Sequence, residues 1–109
     1  MNSRISNLYQ KPTETVTSME MLTVPVSGDS DPVKTFTTSY NRMTKCIGID
    51  VQDSDVYATF TGETPSATLG HRLYAGRSYT FNKITAQNAK FLNTSTATVA
   101  IIAATELTE

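Results

Sequence analysis

An all-β fold follows from three features of this 109-residue chain. Threonine and serine occupy the place usually held by charged and apolar residues. Charged residues make up 17% and hydrophobic ones 39%, against about 25% and ~45–50% in ordinary soluble domains, even allowing for glycine in the latter figure. Threonine is β-branched, and its stiff side chain suits a pleated surface. The second feature is the alternation of apolar and polar residues in the second half of the chain. The third is a turn signal every ~8–12 residues, the spacing of a sandwich or small barrel. Together they predict a compact antiparallel β-sandwich or jelly-roll-like barrel with an extended N-terminal arm. The length suits one domain, divided as an arm over 1–18 and a single β-domain over 19–109.

The elements follow in chain order. Residues 1–18 carry few apolar groups and no sustained period. Ile5, Leu8 and Tyr9 have the spacing of one helical turn, and Pro12 would end it. "MEMLTVPV", 19–26, reads as a strand with Leu22, Val24 and Val26 on one face, and Pro25 places it at a sheet edge or near a strand end. "SGDSDP", 27–32, is a loop. "VKTFTTSY", 33–40, reads as a second strand with Phe36, Thr38 and Tyr40 aligned. "KCIGIDVQ", 45–52, places Ile47, Ile49 and Val51 on one side. "VYATFTG" follows after the turn "DSD", with Val56, Ala58 and Phe60 together, and the two runs predict a hairpin. A second hairpin is expected between "HRLYA" and "RSYTFN" across Gly76. "ITAQNAKFL", 84–92, is the best helical rival and fits one turn. "AKFLN", 89–93, and "TATVAIIAAT", 96–105, read as the last two strands. Both faces of the last are apolar, so it belongs at the centre of a sheet, covered on both sides or pressed against another subunit.

Composition also bounds function. The net charge is −1 and the nine Lys and Arg residues are scattered, so direct nucleic-acid binding, which needs a basic stripe, is not expected. The single cysteine, Cys46, excludes an internal disulfide and reads as a buried, inert thiol. No stretch reaches the ~20 apolar residues of a membrane helix, and "MNSRISNLYQ" lacks the apolar core of a secretory signal.

The ribbon "TGETPSATLGHRLYAGRSYTF", 61–81, holds the only histidine, His71. Ser66 and Glu63 lie near it in sequence, but no nucleophile elbow accompanies them, and a lone histidine in a turn is weak evidence for a triad. The two "DSD" stretches supply too few oxygens for calcium and read as Asx turns. Gly62, Gly70 and Gly76 form no phosphate loop. No catalytic residue, cofactor or metal site is therefore expected. The ribbon reads as turns anchored by Leu69 and Leu73, with Pro65, Gly70 and Gly76 shaping the backbone. His71, Arg72, Tyr74 and Arg77 are left at its margin, and Arg and Tyr are residue types enriched in interfaces.

Residues 45–105 resemble small virion structural proteins of tailed bacteriophages. The likeness lies in a strand ending F-x-G-x-T-P (Phe60, Gly62, Thr64, Pro65), a G-H-x-L-x-A-G turn (Gly70, His71, Leu73, Ala75, Gly76) and a late A-x-F-L strand (Ala89, Phe91, Leu92). The first 40 residues show no such match. The resemblance implies a non-enzymatic capsid decoration, or cement, protein that binds the assembled head shell. Its partners would be the major capsid protein or other virion subunits. It would sit on the capsid surface after assembly in the host cytoplasm, as a homo-oligomer, with a trimer at local three-fold positions. Ile5, Leu8 and Tyr9 of the arm, with Arg72, Tyr74 and Arg77, are the expected interface residues. Two other classes stay open. One is a receptor- or carbohydrate-binding module, with Tyr57, Tyr74 and Tyr79 stacking on sugars, or a tail or connector component. The other is a small hydrolase.

Overall fold

The computed structural model describes residues 15–38 and 44–108. Its elements are β1 (Thr15–Val24), β2 (Thr44–Gln52), β3 (Val56–Thr59), β4 (His71–Leu73), β5 (Ser78–Asn82), α1 (Lys83–Gln87), β6 (Lys90–Asn93) and β7 (Ala100–Thr108). The strands form two antiparallel sheets. One has the order β1-β7-β2-β5 and the other β4-β3-β6. The fold is all-β, and of the two expected architectures it is the sandwich.

Period-two alternation selects what each sheet buries. On β2, Ile47, Ile49 and Val51 are buried, as are Leu22 and Val24 on β1 and Ala100, Ile102 and Ala104 on β7. The second sheet answers with Val56, Ala58, Leu73 and Phe91. Each of the valine, leucine, isoleucine and phenylalanine side chains among them contributes about 1.5–3 kcal/mol when removed from water, and the alanines less. Tyr79 and Phe81 of β5 pack on the margin of this core. Strand β7 lies between β1 and β2, the central position that its two apolar faces predict.

The short helix α1 falls at the one place where a helical turn competes with the strand pattern. Asn82 caps it by accepting a hydrogen bond from the Thr85 backbone N–H at 2.8 Å. Ala86 is its buried residue.

Several expectations are corrected. Strand β1 starts at Thr15, inside the segment read as an arm, and ends at Val24, so Pro25 follows the strand rather than lying in it. Ile5, Leu8 and Tyr9 lie outside the described residues. Residues 33–38 form no strand. Only an isolated bridge joins Lys34 to Phe91, and Phe36 meets the Phe91 ring edge-on at 5.4 Å. Neither expected hairpin exists. β2 pairs with β5 and β7, and β3 pairs with β4 and β6. The turns 53–55 and 74–77 therefore carry the chain from one sheet to the other. The last strand starts at Ala100 and runs to Thr108, which leaves Val99 exposed. β6 and β7 are likewise in different sheets. Leu73 anchors the 61–81 ribbon, but Leu69 is 49% exposed and does not. Cys46 is half-buried rather than buried.

Candidate functional site

The segments that switch sheets place four connections at one end of the sandwich: the chain after β1, and those between β2 and β3, β4 and β5, and β6 and β7. Two polar side chains tie them together. Asn93, 1% exposed at the end of β6, uses both ends of its amide. Its Oδ1 accepts from Ser54 Oγ at 2.8 Å and from the Ser95 N–H at 2.9 Å. Its Nδ2 donates to the Thr98 carbonyl at 2.7 Å and the Val24 carbonyl at 3.3 Å. All four hydrogen-bonding positions of a carboxamide are thus occupied.

Asp55 does the same from the protein surface. Its Oδ1 accepts from the Ala75 N–H at 2.8 Å, and its Oδ2 from Arg72 Nε at 3.0 Å and the Arg72 terminal nitrogen at 2.8 Å. Its carbonyl accepts from both the N–H and the hydroxyl of Thr94. The Ala75 N–H, followed by the Arg72 guanidinium, holds the Asp55 carboxyl below the usual aspartate range.

The turn Tyr74–Arg77 rides on this frame. The Arg77 N–H donates to the Tyr74 carbonyl at 3.2 Å. Gly76 sits at the third position with φ of 84°, as a type II turn requires. Gly76 N–H donates to the Val51 carbonyl at 2.7 Å. The Tyr74 N–H donates to the Tyr79 hydroxyl at 2.9 Å. The result is a fixed turn that carries an aromatic ring, 47% exposed, between two cations. The Arg72 and Arg77 guanidinium carbons lie 5.6 and 5.5 Å from the Tyr74 ring centroid, within cation–π range. Arg72, Tyr74 and Arg77, expected as interface residues from their type, are thus brought into one cluster. Asp55 and Asn93, which build the frame, do not stand out in the sequence. "DSD" shows a turn and "FLNTST" an Asx-prone break, but neither shows a partner 17 to 69 residues away.

The opposite end holds the remainder of the 61–81 ribbon. Phe60, Glu63, Gly70 and His71 border an open recess of about 410 Å³. Here Thr59 Oγ1 donates to the Glu63 carbonyl, and the Thr61 hydroxyl donates to the Glu63 carboxylate. The latter bond is the main reason that this carboxyl lies below the usual glutamate range. Ser66 Oγ is engaged with Thr68, accepting from its backbone N–H at 3.2 Å. The His71 ring lies 5.8 Å from that of Phe60, centroid to centroid. The hydroxyls and the acid are spent on each other, and the histidine contacts an aromatic ring. Among the described residues no group of three or more His, Cys, Asp or Glu is placed to hold a metal ion. Of the three tyrosines considered for sugar stacking, Tyr79 packs toward the core, and only Tyr74 is strongly exposed.

Comparison with protein-family models, with curated proteins and with solved structures returns no match.

Proposed function

We propose that this chain is a non-enzymatic virion structural protein, a decoration protein that binds and stabilises the assembled head shell of a tailed bacteriophage. The observation that carries the reading is Tyr74, exposed between Arg72 and Arg77 on a turn pinned by hydrogen bonds. Rigid aromatic and arginine anchors dominate binding energy at protein interfaces, because little entropy is lost when they are covered. The resemblance of residues 45–105 to small phage virion proteins supplies the partner class: the major capsid protein or a neighbouring virion subunit. Copies repeated over a shell, as a homo-oligomer at the capsid surface, would turn modest single contacts into firm attachment. Assembly in the host cytoplasm fits the lone cysteine of the chain.

The test is co-sedimentation with empty heads assembled from the major capsid protein of the same phage. Tyr74→Ala is expected to cost about 2 kcal/mol per contact, roughly thirtyfold in affinity, with the fold retained. Unchanged occupancy on heads overturns the docking role of the cluster. The exposed ring of Tyr74 also suits the carbohydrate-binding alternative, so the same proteins are put on a glycan array. Glycan binding lost with Tyr74→Ala, together with no binding to heads, would replace the decoration reading with that one.

A further inference from the structure

The recess at the end of the sandwich opposite Tyr74 has a chemistry of its own. Its volume, about 410 Å³, falls in the ~300–1,000 Å³ range of ligand sites. One wall is aromatic. The Phe60 and His71 rings lie 5.8 Å apart, tilted by 31°. Phe81 backs Phe60 at 4.9 Å, and both rings pack against the core. Leu69 adds an apolar border, half-exposed, on a turn closed by two backbone hydrogen bonds between Ser66 and Leu69. Apart from the imidazole, the side-chain polar groups here accept and do not donate. The Thr59 and Thr61 hydroxyls both give their protons to Glu63, one to its carbonyl and the other to its carboxylate. Each hydroxyl keeps only lone pairs for anything that enters. Thr61 also leaves the charge of Glu63 in place. Glu63 makes no ion pair among the described residues, and Lys90 acts on it only from beyond ion-pair distance.

We infer that this recess takes the guanidinium of an arginine side chain presented by a partner protein. An anion is excluded by the carboxylate. A sugar hydroxyl both donates and accepts, and the threonine protons that could serve it are already committed. A group that only donates, an ammonium or a guanidinium, matches acceptors alone. The aromatic wall selects the guanidinium, which is flat, more weakly hydrated than an ammonium, and stacks on ring faces. Its charge is met by Glu63, and its aliphatic stem lies along Leu69.

The same features point to a side chain rather than a free small molecule. The recess is open, and Glu63 is the only carboxylate that borders it. It therefore holds one end of its ligand and leaves the other in solvent, where a polypeptide backbone can continue. This assignment does not rest on shell binding through Tyr74, which lies at the other end of the molecule.

Titration of the isotope-labelled full chain with N-acetyl-arginine amide, followed by amide chemical shifts, tests it. Saturable shifts are expected at Phe60, Thr61, Glu63 and Leu69 to His71, with a dissociation constant on the order of 1–10 mM for one isolated side chain. N-acetyl-citrulline amide has the same shape without the charge and should produce no saturable shift. N-acetyl-lysine amide should bind more weakly than the arginine compound. Glu63→Gln keeps an acceptor for the Thr61 hydroxyl but removes the charge. It should weaken arginine binding about fivefold, the factor that corresponds to one exposed ion pair, and its own spectrum verifies the fold. No saturable shift by ~50 mM, shifts centred elsewhere, equal binding of citrulline, or an unchanged constant in Glu63→Gln would each overturn the inference. Lysine binding as tightly as arginine would overturn the choice of a guanidinium. Tighter binding of free ethylguanidinium than of the capped arginine would overturn the choice of a side chain.

Discussion

Asp55 illustrates how much one surface carboxylate can organise when it accepts a backbone N–H as well as a side chain. Its bonds to Ala75 and Arg72 hold the turn that displays Tyr74. Because its folded carboxyl titrates below the ordinary range, its contribution is fully present above the unfolded aspartate pKa, ~4. That contribution is lost as pH falls through the folded value. Asp55→Asn keeps an oxygen for the Ala75 N–H but removes the charge that strengthens that bond. Arg72 is half-exposed, so water screens its share of the ion pair. The variant is expected to lose about 1 kcal/mol at pH 7. The gap from wild type should narrow as pH falls below ~4, where the unfolded carboxylate takes up its proton first and the folded one follows at lower pH. Urea denaturation at pH 7 and pH 3 checks this, and a gap that widened on acidification would contradict the assignment. Glu20 obeys the same sign with a different balance. Burial pushes its carboxyl up, but the donors of Thr38 and Thr37 together bring it below the usual range. These bonds fasten the loop after β1 to that strand.

At the scale of elements, two glycines of the 61–81 ribbon separate conformational need from space. Gly76 has φ of 84° with open space where a Cβ would stand, whereas Gly70 has φ of 128° and a Cβ there would lie 2.8 Å from the Ala58 carbonyl oxygen. Gly76→Ala is therefore expected to cost about 1 kcal/mol, the left-handed penalty alone. Gly70→Ala must also push β4 away from β3, and should cost at least twice that. Thermal melts of the two variants rank them, and equal losses would mean that the contact at Gly70 is relieved without cost.

The strands that precede this ribbon show what a sequence tells about elements. Alternation at Ile47, Ile49 and Val51, and again at Val56 and Ala58, identifies strands and their buried faces correctly, because face is a local property of period two. Partnership is not local. "DSD" between β2 and β3 has the composition of a hairpin turn, yet Asp53 at its tip, with φ of 73°, bends the chain across the core into the other sheet. A turn that joins neighbours and a turn that joins layers use the same residues. The cluster at Tyr74 was legible in part for the same reason. Arg72 lies in β4, Tyr74 follows directly after that strand and Arg77 closes the same tight turn, whereas Asp55 and Asn93 reach their partners only through the tertiary fold.

For the molecule as a whole, this topology sets the order in which the fold can assemble. Of the five strand pairs among the described residues, only β3–β4 joins consecutive strands. The larger sheet cannot close until β7, the last strand, enters between β1 and β2, the first two. Chain entropy must be surrendered before such distant pairings return any stabilisation, so domains of this kind refold in milliseconds to seconds rather than microseconds. The position of β7 gives it a further role. β1 has only β7 to pair with among the described residues, so β1 can dock only after β7 is in place. Ile102 of β7 is fully buried and should already be packed in the folding transition state. Leu22 of β1, its register partner, should pack after it. Ile102→Val is therefore expected to slow refolding, whereas Leu22→Ala should act mainly by speeding unfolding. The chain has no tryptophan, so stopped-flow circular dichroism is the suitable probe. Microsecond refolding would contradict the non-local closure. A slowing of refolding by Leu22→Ala equal to its full loss of stability would instead place β1 in the nucleus, with β7 adding to it.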